Sequence, residues 1–357
     1  MIACGSKSAG HTMRLPLPTE STHLTTWDEL LDEFRALGGT ADNIRLGHGE
    51  FGRGLFPVDP AKPVVIDIPD NLLVATADMV LVNGVPRVGP NAKTGEREKA
   101  WLNRYQADWA WRNGEAGGIR QMFDMAAALP EELRHALLTK YQCGTWFQEP
   151  TEDLILSCYL ESRHINHREI PVVMPLIELI NHGRGTFYEG EDTDSVRVKG
   201  TFPGEIFVDY SDADSHRFFL TWGFAIQRPL AFSIPLTGNI QSARLNVGGQ
   251  YIGPADSERD LIPKIERNAD SVRLPFLMIG HRQFPRLPKG IFYRLMRDAR
   301  YAGFEESFDR VHHTNRLHFI NLLLELDSID LPIARTLRAM AHYQLHAMSF
   351  CYGAREI

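Results

Sequence analysis

The spacing of hydrophobic residues predicts an amphipathic helix near the beginning of the chain. Its apolar side chains recur at intervals of three and four residues: Trp27, Leu30, Leu31 and Phe34. This spacing places side chains on one face of an α-helix. Thr26 can cap the start, and the pair Gly38-Gly39 can end the helix. Residues 1–24 lack such periodicity, so we expect a flexible N-terminal tail there.

Short apolar runs bounded by proline or polar residues predict strands on both sides of a helical region. The predicted strands cover residues 43–46, 64–68, 72–74, 196–198 and 205–208. Between them, residues 99–160 show helical spacing. Later segments near 257–277, 290–302, 308–327 and 331–350 are also predicted to be helical.

This order of elements, with a helical insertion between strands and a helical tail, predicts an α+β fold rather than a doubly wound sheet. A chain of 357 residues can hold two modest domains. We expect the first to span residues 25–228, with the insertion at about 80–170. The second would be a mostly helical C-terminal domain, residues 229–357, and a candidate for substrate binding.

Composition narrows the classes of function. Hydrophobic residues make up 43% and charged residues 23%, as in globular proteins. The net charge of −7 argues against a direct nucleic-acid binder. The apolar runs are too short to cross a bilayer and no signal sequence is apparent, so a cytoplasmic protein is expected. The four cysteines form no C-x-x-C pair, and no metal site is predicted.

Residues 189–214 form an acidic stretch. They include eight acidic and two basic residues, a net charge of −6. A solvated surface would explain such a run. If it borders an active site, it would instead concentrate a cationic substrate.

Several short segments carry candidate chemistry. In chain order they are Glu50-Phe51-Gly52-Arg53-Gly54, Ser162-Arg163, the apolar run ending in Asn181-His182, the segment from Gly204-Glu205 to Tyr210, and Trp222-Gly223-Phe224. Over about residues 27–228 these segments resemble the SET-domain lysine methyltransferases, in particular the class of the Rubisco large-subunit lysine methyltransferase.

The resemblance implies a SET-domain fold, S-adenosyl-L-methionine as cofactor, and a protein substrate that presents a lysine. It implies that Tyr210 is catalytic, beside the transferring methyl group. The implied cofactor-binding residues are Glu50, Phe51, Gly52, Arg53, Gly54, Arg163, Asn181, His182 and Tyr210. The implied substrate channel is lined by Tyr188, Trp222 and Phe224.

Two departures from the family pattern affect the acceptor. Trp222 stands where the family has a tyrosine, and Tyr188 is only a candidate for the tyrosine that lines the lysine pocket. Two alternatives to a lysine methyltransferase therefore stay open: a SET-like histidine N-methyltransferase, and a catalytically degenerate SET-fold interaction module. The substrate protein, the number of methyl groups added and the oligomeric state are left open as well.

Overall fold

The computed structural model describes residues 26–186, 188–190, 194–240, 243–249, 261–268, 270–301 and 304–351, without the side chains of residues 112–117. The predicted tail at residues 1–24 lies outside these residues. In the part of the chain that is described, no helix has the length and apolar character needed to cross a membrane.

The first part of the chain is a helix followed by short strands. Helix α1 (Trp27–Ala36) begins with a capping box, in which Thr26 and Glu29 satisfy each other's backbone N–H groups. The strands that follow are β1 (Thr40–Asp42), β2 (Ile44–Gly49), β3 (Gly52–Pro57), β4 (Val64–Pro69), β5 (Val74–Ala75), β6 (Met79–Val82) and β7 (Val85–Val88). Strands β2 and β3 form a hairpin, as do β6 and β7. The helix and the strands predicted at 43–46 and 64–68 are confirmed. The strand predicted at 72–74 is mostly wrong, because Asp70–Leu72 forms a 3-10 turn and the strand begins only at Val74.

A helical region separates these strands from the next group. It comprises α2 (Glu96–Tyr105), a π-helical stretch (Gln106–Glu115), α3 (Ala116–Ala127), α4 (Glu131–Thr139) and α5 (Glu152–Arg163). Trp101 of α2 is buried and its indole N–H donates to the carbonyl of Leu30, 3.0 Å away. The predicted helical insertion is therefore present, and this hydrogen bond joins it to α1.

The second group of strands completes the sheets begun by the first. It comprises β8 (His164–His167), β9 (Ile170–Val173), β10 (Asn181–Thr186), β11 (Ser195–Gly200) and β12 (Phe207–Val208), followed by α6 (Ser215–Trp222). Strand β4 lies between β1 and β11, and β9 lies between β5 and β8. Strands β10 and β12 run parallel, with Asn181 opposite Phe207. This pairing brings the two candidate segments of the sequence side by side.

The C-terminal region contains both strands and helices. Its strands are β13 (Leu230–Phe232), β14 (Leu236–Ile240), β15 (Ala243–Val247), β16 (Glu266–Arg267), β17 (Ser271–Leu274) and β18 (Met278–His281); its helices are α7 (Leu287–Asp298), α8 (Glu305–Leu326) and α9 (Pro332–Ser349). The three last predicted helices are confirmed, and so is the α+β class with a helical C-terminal part.

One predicted helix is wrong. The segment 257–277 includes β16 and β17, and β17 runs parallel to β15. Val272 and Leu274 are buried while Arg273 between them is exposed, which is the period of two of a strand with one covered face. Residues 251–260 lie outside the described chain.

Candidate active site

The hairpin of β2 and β3 meets the start of β10 through a side-chain carboxylate. Glu205, from the loop before β12, contacts the Asn181 amide nitrogen at 2.6 Å, and that nitrogen also donates to the Arg53 carbonyl at 3.0 Å. A Cβ at Gly54 would lie 2.4 Å from one oxygen of Glu205, and a Cβ at Gly49 would lie 2.0 Å from the other. Only glycine leaves room for this carboxylate, so the glycine loop holds Asn181 and Glu205 against β3.

The tip of the same hairpin is exposed. Glu50 and Phe51 form its two-residue turn, because Gly49 pairs with Gly52, and Gly52 has a φ of +93°. Phe51 is 60% exposed, and its ring lies edge-on to the ring of Phe207, with 5.9 Å between the centroids. The turn therefore presents an aromatic ring to solvent beside the Asn181 segment.

The two predicted arginines are each held by backbone carbonyls. The guanidinium of Arg53 donates to the carbonyls of Trp109 and Ala110 in the π-helical stretch. The guanidinium of Arg163 donates to the carbonyl of Glu178 at 2.7 Å and lies 5.5 Å from the ring centroid of Tyr159. Arg53 contacts the Asn181 segment through its own carbonyl, whereas its side chain turns towards the insertion.

Tyr210 lies just beyond the end of β12, and both its backbone and its side chain bind the β10 segment. Its N–H donates to Nδ1 of His182 at 3.2 Å, and its hydroxyl donates to the carbonyl of Ile180 at 2.7 Å. The proton of the phenol is thus held by a carbonyl, which leaves the phenol oxygen as an acceptor. The predicted partners Asn181, His182 and Tyr210 are brought together.

Tyr210 belongs to a group of five rings in mutual contact, which we call the aromatic cluster: His182, Tyr210, Phe218, Trp222 and Phe224. Its own ring contacts those of His182 and Trp222. Across the cluster, the ring centroids lie 4.8–6.5 Å apart in contacting pairs. Phe218 and Trp222 come from one face of α6, at the i,i+4 spacing that makes helix side chains neighbours. The indole N–H of Trp222 donates to the Ser162 carbonyl at 2.8 Å. Trp222 therefore contributes an aromatic face to the cluster, and its donor is already used.

His182 is neutral within the cluster. Burial lowers the pKa of its imidazole to about 4; nearby Asp209 opposes this change and Arg228 adds to it. The hydrogen bond from the Tyr210 N–H agrees with the neutral form, because Nδ1 can accept a hydrogen bond only when it carries no proton itself. Although Asp209 lies 3.9 Å from Nδ1, we assign no ion pair between them at neutral pH.

Arg228 neutralises the acidic turn next to the cluster. Its guanidinium contacts the two oxygens of Asp209 at 3.3 and 3.1 Å, the Ser211 carbonyl at 2.8 Å and Asp212 at 3.3 Å. It also lies over the ring of Phe218, 5.4 Å from the centroid. The Arg228 side chain is 13% exposed, so these contacts are largely shielded from water.

The acidic stretch identified in the sequence is mostly compensated within the protein. Glu189 pairs with Lys199 at 2.9 Å, and Asp194 pairs with Arg168. Two more acids bind Arg228, Glu205 binds Asn181, and the sixth, Asp214, is buried at the start of α6. Residues 191–193 lie outside the described chain. The described acids thus give little support to steering of a cationic substrate.

Three residues of the site were not predicted as site residues: Phe218, Arg228, and Glu205, which was named only as part of a candidate segment. Glu205 has a local signal, since it belongs to the Gly-Glu pair, and Phe218 lies four residues before Trp222 on α6. Arg228 has none, because its partners are set by the meeting of two loops. Tyr188 is half-buried between β10 and β11 and packs against the hydrophobic core; its place in a substrate channel stays a prediction.

No protein-family model matches the sequence, and no curated protein matches it significantly. Solved structures of similar fold exist. One is the SET domain of LSMT bound to lysine and AdoHcy, with 14% identity over 90% of this chain and 89% of that chain and a TM-score of 0.45.

Two others are Rubisco LSMT bound to AdoMet, with 15% identity over 90% of both chains and a TM-score of 0.41, and Rubisco LSMT bound to sinefungin and monomethyllysine, with 15% identity over 90% of this chain and 89% of that chain and a TM-score of 0.39. The likeness is distant, so we rest the function on this chain's own residues.

Proposed function

We propose that this chain is an S-adenosylmethionine-dependent protein methyltransferase whose acceptor is a lysine side chain. The observation that carries the proposal is the neutral aromatic cluster that contains Tyr210, whose backbone and hydroxyl are held by His182 and Ile180 on either side of Asn181 in the sequence. Such a site suits a reaction in which a cation and an amine must meet in a place with little water.

The cluster favours a cation electrostatically. Aromatic faces attract positive charge, most strongly where water is excluded. The Ile180 carbonyl and the oxygen of Tyr210 add partial negative charge at the same place. A protonated His182 would oppose a cation, and the lowered pKa of that imidazole prevents this at neutral pH.

The residues near the cluster also fit the other groups of the cofactor. S-Adenosylmethionine supplies a methyl group on a sulfonium centre, and it carries a carboxylate, an amine and an adenine. Arg163 would bind the carboxylate, since a guanidinium offers several donors in one plane. Asn181 and the backbone of the Glu50–Gly54 turn would bind the remaining polar groups of the cofactor. The exposed ring of Phe51 offers a surface for stacking.

The chain's part in the chemistry is to hold an uncharged amine in line. A lysine with its ordinary pKa near 10.4 must lose a proton, which costs about 5 kcal/mol at pH 7. An apolar channel formed by Trp222 and Phe224 lowers this cost because it disfavours the ammonium form. The oxygen of Tyr210 then orients the amine, and correct positioning supplies much of the rate. Tyr210 is not the base, because its hydroxyl proton is bound to Ile180.

The first test is calorimetry with S-adenosylhomocysteine, because it needs no knowledge of the substrate. We expect the wild type to bind and Asn181→Ala to lose at least tenfold in affinity, since the substitution removes the amide that ties Arg53 to Glu205. Asn71→Ala is the control: this exposed amide also bonds a carbonyl and a carboxylate, Leu37 and Glu98. A wild type that does not bind would favour an interaction module without catalysis.

Mass spectrometry of proteins labelled in a cell lysate identifies the acceptor. Methyl-lysine in the products supports the proposal. Methyl-histidine in the products would show that the acceptor is histidine and not lysine. The proposed roles of the cofactor and of Tyr210 would stay the same.

A further inference from the structure

The turn that carries Tyr210 is clamped from one side by a single arginine. Arg228 contacts the residue before Tyr210, which is Asp209, and the two residues after it, Ser211 and Asp212. The ring of Tyr210 contacts His182 and Trp222 of the aromatic cluster. Four contacts from one planar guanidinium fix this backbone more narrowly than a lysine ammonium could.

The charge of Arg228 matters as much as its shape. Oδ1 of Asp209 lies 3.9 Å from Nδ1 of His182, the same atom that accepts the Tyr210 N–H. A carboxylate without a cationic partner favours a proton on a nearby imidazole. If Nδ1 carried a proton, it would be a donor opposite the N–H of Tyr210, which is also a donor. The hydrogen bond between them would then be lost.

Arg228 reaches the cluster by a second route. Its guanidinium covers one face of Phe218, whose ring lies 4.8 Å from both His182 and Trp222 between centroids. Arg228 therefore contacts α6 directly, through the ring of Phe218.

We propose that Arg228 is a positioning residue: by occupying Asp209 it adds to the burial that keeps Nδ1 of His182 free of a proton, and so holds the backbone of Tyr210 in place for methyl transfer. The role in transfer rests on the proposed function; the arrangement of Arg228, Asp209 and His182 does not. Among the described residues, the charged and titratable groups that face His182 are Asp209 from the turn after β12, Arg228 from the segment after α6, and the phenol of Tyr210.

Titration of His182 by NMR tests the charge effect without any cofactor. In Arg228→Met the imidazole should protonate at a clearly higher pH than in the wild type, where its pKa is about 4. The double variant R228M/D209N should return the titration towards that of the wild type, because the attracting carboxylate is gone. Arg335→Met is the control; it removes an arginine from an exposed pair with Asp330 and should leave the titration unchanged.

A rescue of this kind distinguishes a charge effect from a loss of packing. Unchanged titration in a folded R228M would overturn the proposal, and so would a double variant that titrates like R228M. Should R228M not fold, Arg228→Lys keeps the charge without the planar fork, and Asp209→Asn alone should leave His182 neutral; a raised pKa of His182 in D209N would then be the contrary result.

The role in transfer has its own readout. With labelled S-adenosylmethionine, R228M should lower kcat at least tenfold and change KM for the cofactor less than threefold, and R228K, which keeps the charge, should lose less. A wild type that fails to bind S-adenosylhomocysteine would overturn the proposed function but leave the His182 titration informative. A wild type that transfers methyl groups, with a folded R228M equally active, would overturn the role of Arg228 alone.

Discussion

A single hydroxyl group is the smallest unit on which the proposed chemistry depends. The Tyr210 hydroxyl donates to the carbonyl of Ile180, so its oxygen keeps the capacity to accept a hydrogen bond. Tyr210→Phe keeps the ring and its contacts with His182 and Trp222 but removes this oxygen. We expect labelled-methyl transfer to fall by about 100-fold or more, the usual effect of losing one preorganised polar group.

Binding of S-adenosylhomocysteine should stay within about threefold in the same variant, because the tyrosine acts mainly on the transferring group. Tyr293→Phe is the matched control: this hydroxyl also donates to a carbonyl, that of Glu305 at 3.0 Å, far along the chain in α7. Full transfer activity in Tyr210→Phe would rule out the orienting role of Tyr210.

At the scale of the element, α6 matters most because it carries Phe218 and Trp222 in only eight residues. So short a helix is not stable alone and depends on its cap and packing. Its N-cap is Asp214, which is buried. The carboxylate accepts from the Arg217 N–H at 2.9 Å, from the Phe232 N–H at 2.8 Å and from the Gln344 amide. One side chain therefore joins α6 to β13 and α9.

Asp214→Ala should destabilise the protein by about 3 kcal/mol or more, since it leaves one buried and two partly buried donors without their acceptor. Urea unfolding measures this loss. Thr151→Ala is the comparison, because Thr151 caps α5 by accepting from Leu154 alone, at 3.1 Å. Loss of an ordinary cap costs about 1 kcal/mol. Equal losses in the two variants would contradict the view that Asp214 joins three elements.

At the scale of the whole molecule, buried histidines link folding to pH. Burial lowers the pKa of His182, His216 and His318 to about 4 each, and lowers that of His312 as well. In the unfolded chain these imidazoles have their ordinary pKa near 6.5. Between pH 6.5 and 4 the unfolded state therefore binds more protons than the folded state, and stability must fall as the pH falls.

Denaturant unfolding at pH 7, 5.5 and 4.5 should show this decline. His216 alone accounts for about 3 kcal/mol once the pH is below its pKa in the folded state, by the conversion of one pKa unit to about 1.4 kcal/mol. His216→Phe should flatten the decline, whereas His342→Gln, at an exposed position on α9, should not. A stability that is constant from pH 7 to 4.5 would contradict neutral burial of these side chains.

Local patterns were sufficient for the elements whose burial follows their own periodicity. The spacing from Trp27 to Phe34 predicted α1, and Thr26 predicted its cap, because a helix face and a cap involve neighbouring residues only. The same holds for α7 to α9 and for the strands with alternating side chains. The prediction of a helix at 257–277 was wrong because β17 has only four residues. So short a strand shows too little alternation of buried and exposed side chains to be recognised among residues that favour a helix.

The sequence by itself determined the α+β class, most helices and the segments that hold Asn181, His182 and Tyr210. Only the tertiary structure decided which groups meet across those segments. It placed Glu205 between Gly49 and Gly54, turned the side chain of Arg53 towards the insertion, and set Arg228 against Asp209. The periodicity of hydrophobic residues shows which face of a helix or strand is buried. The partner of a charged side chain depends instead on which loop lies next to it in the fold, and that loop comes from a distant part of the chain.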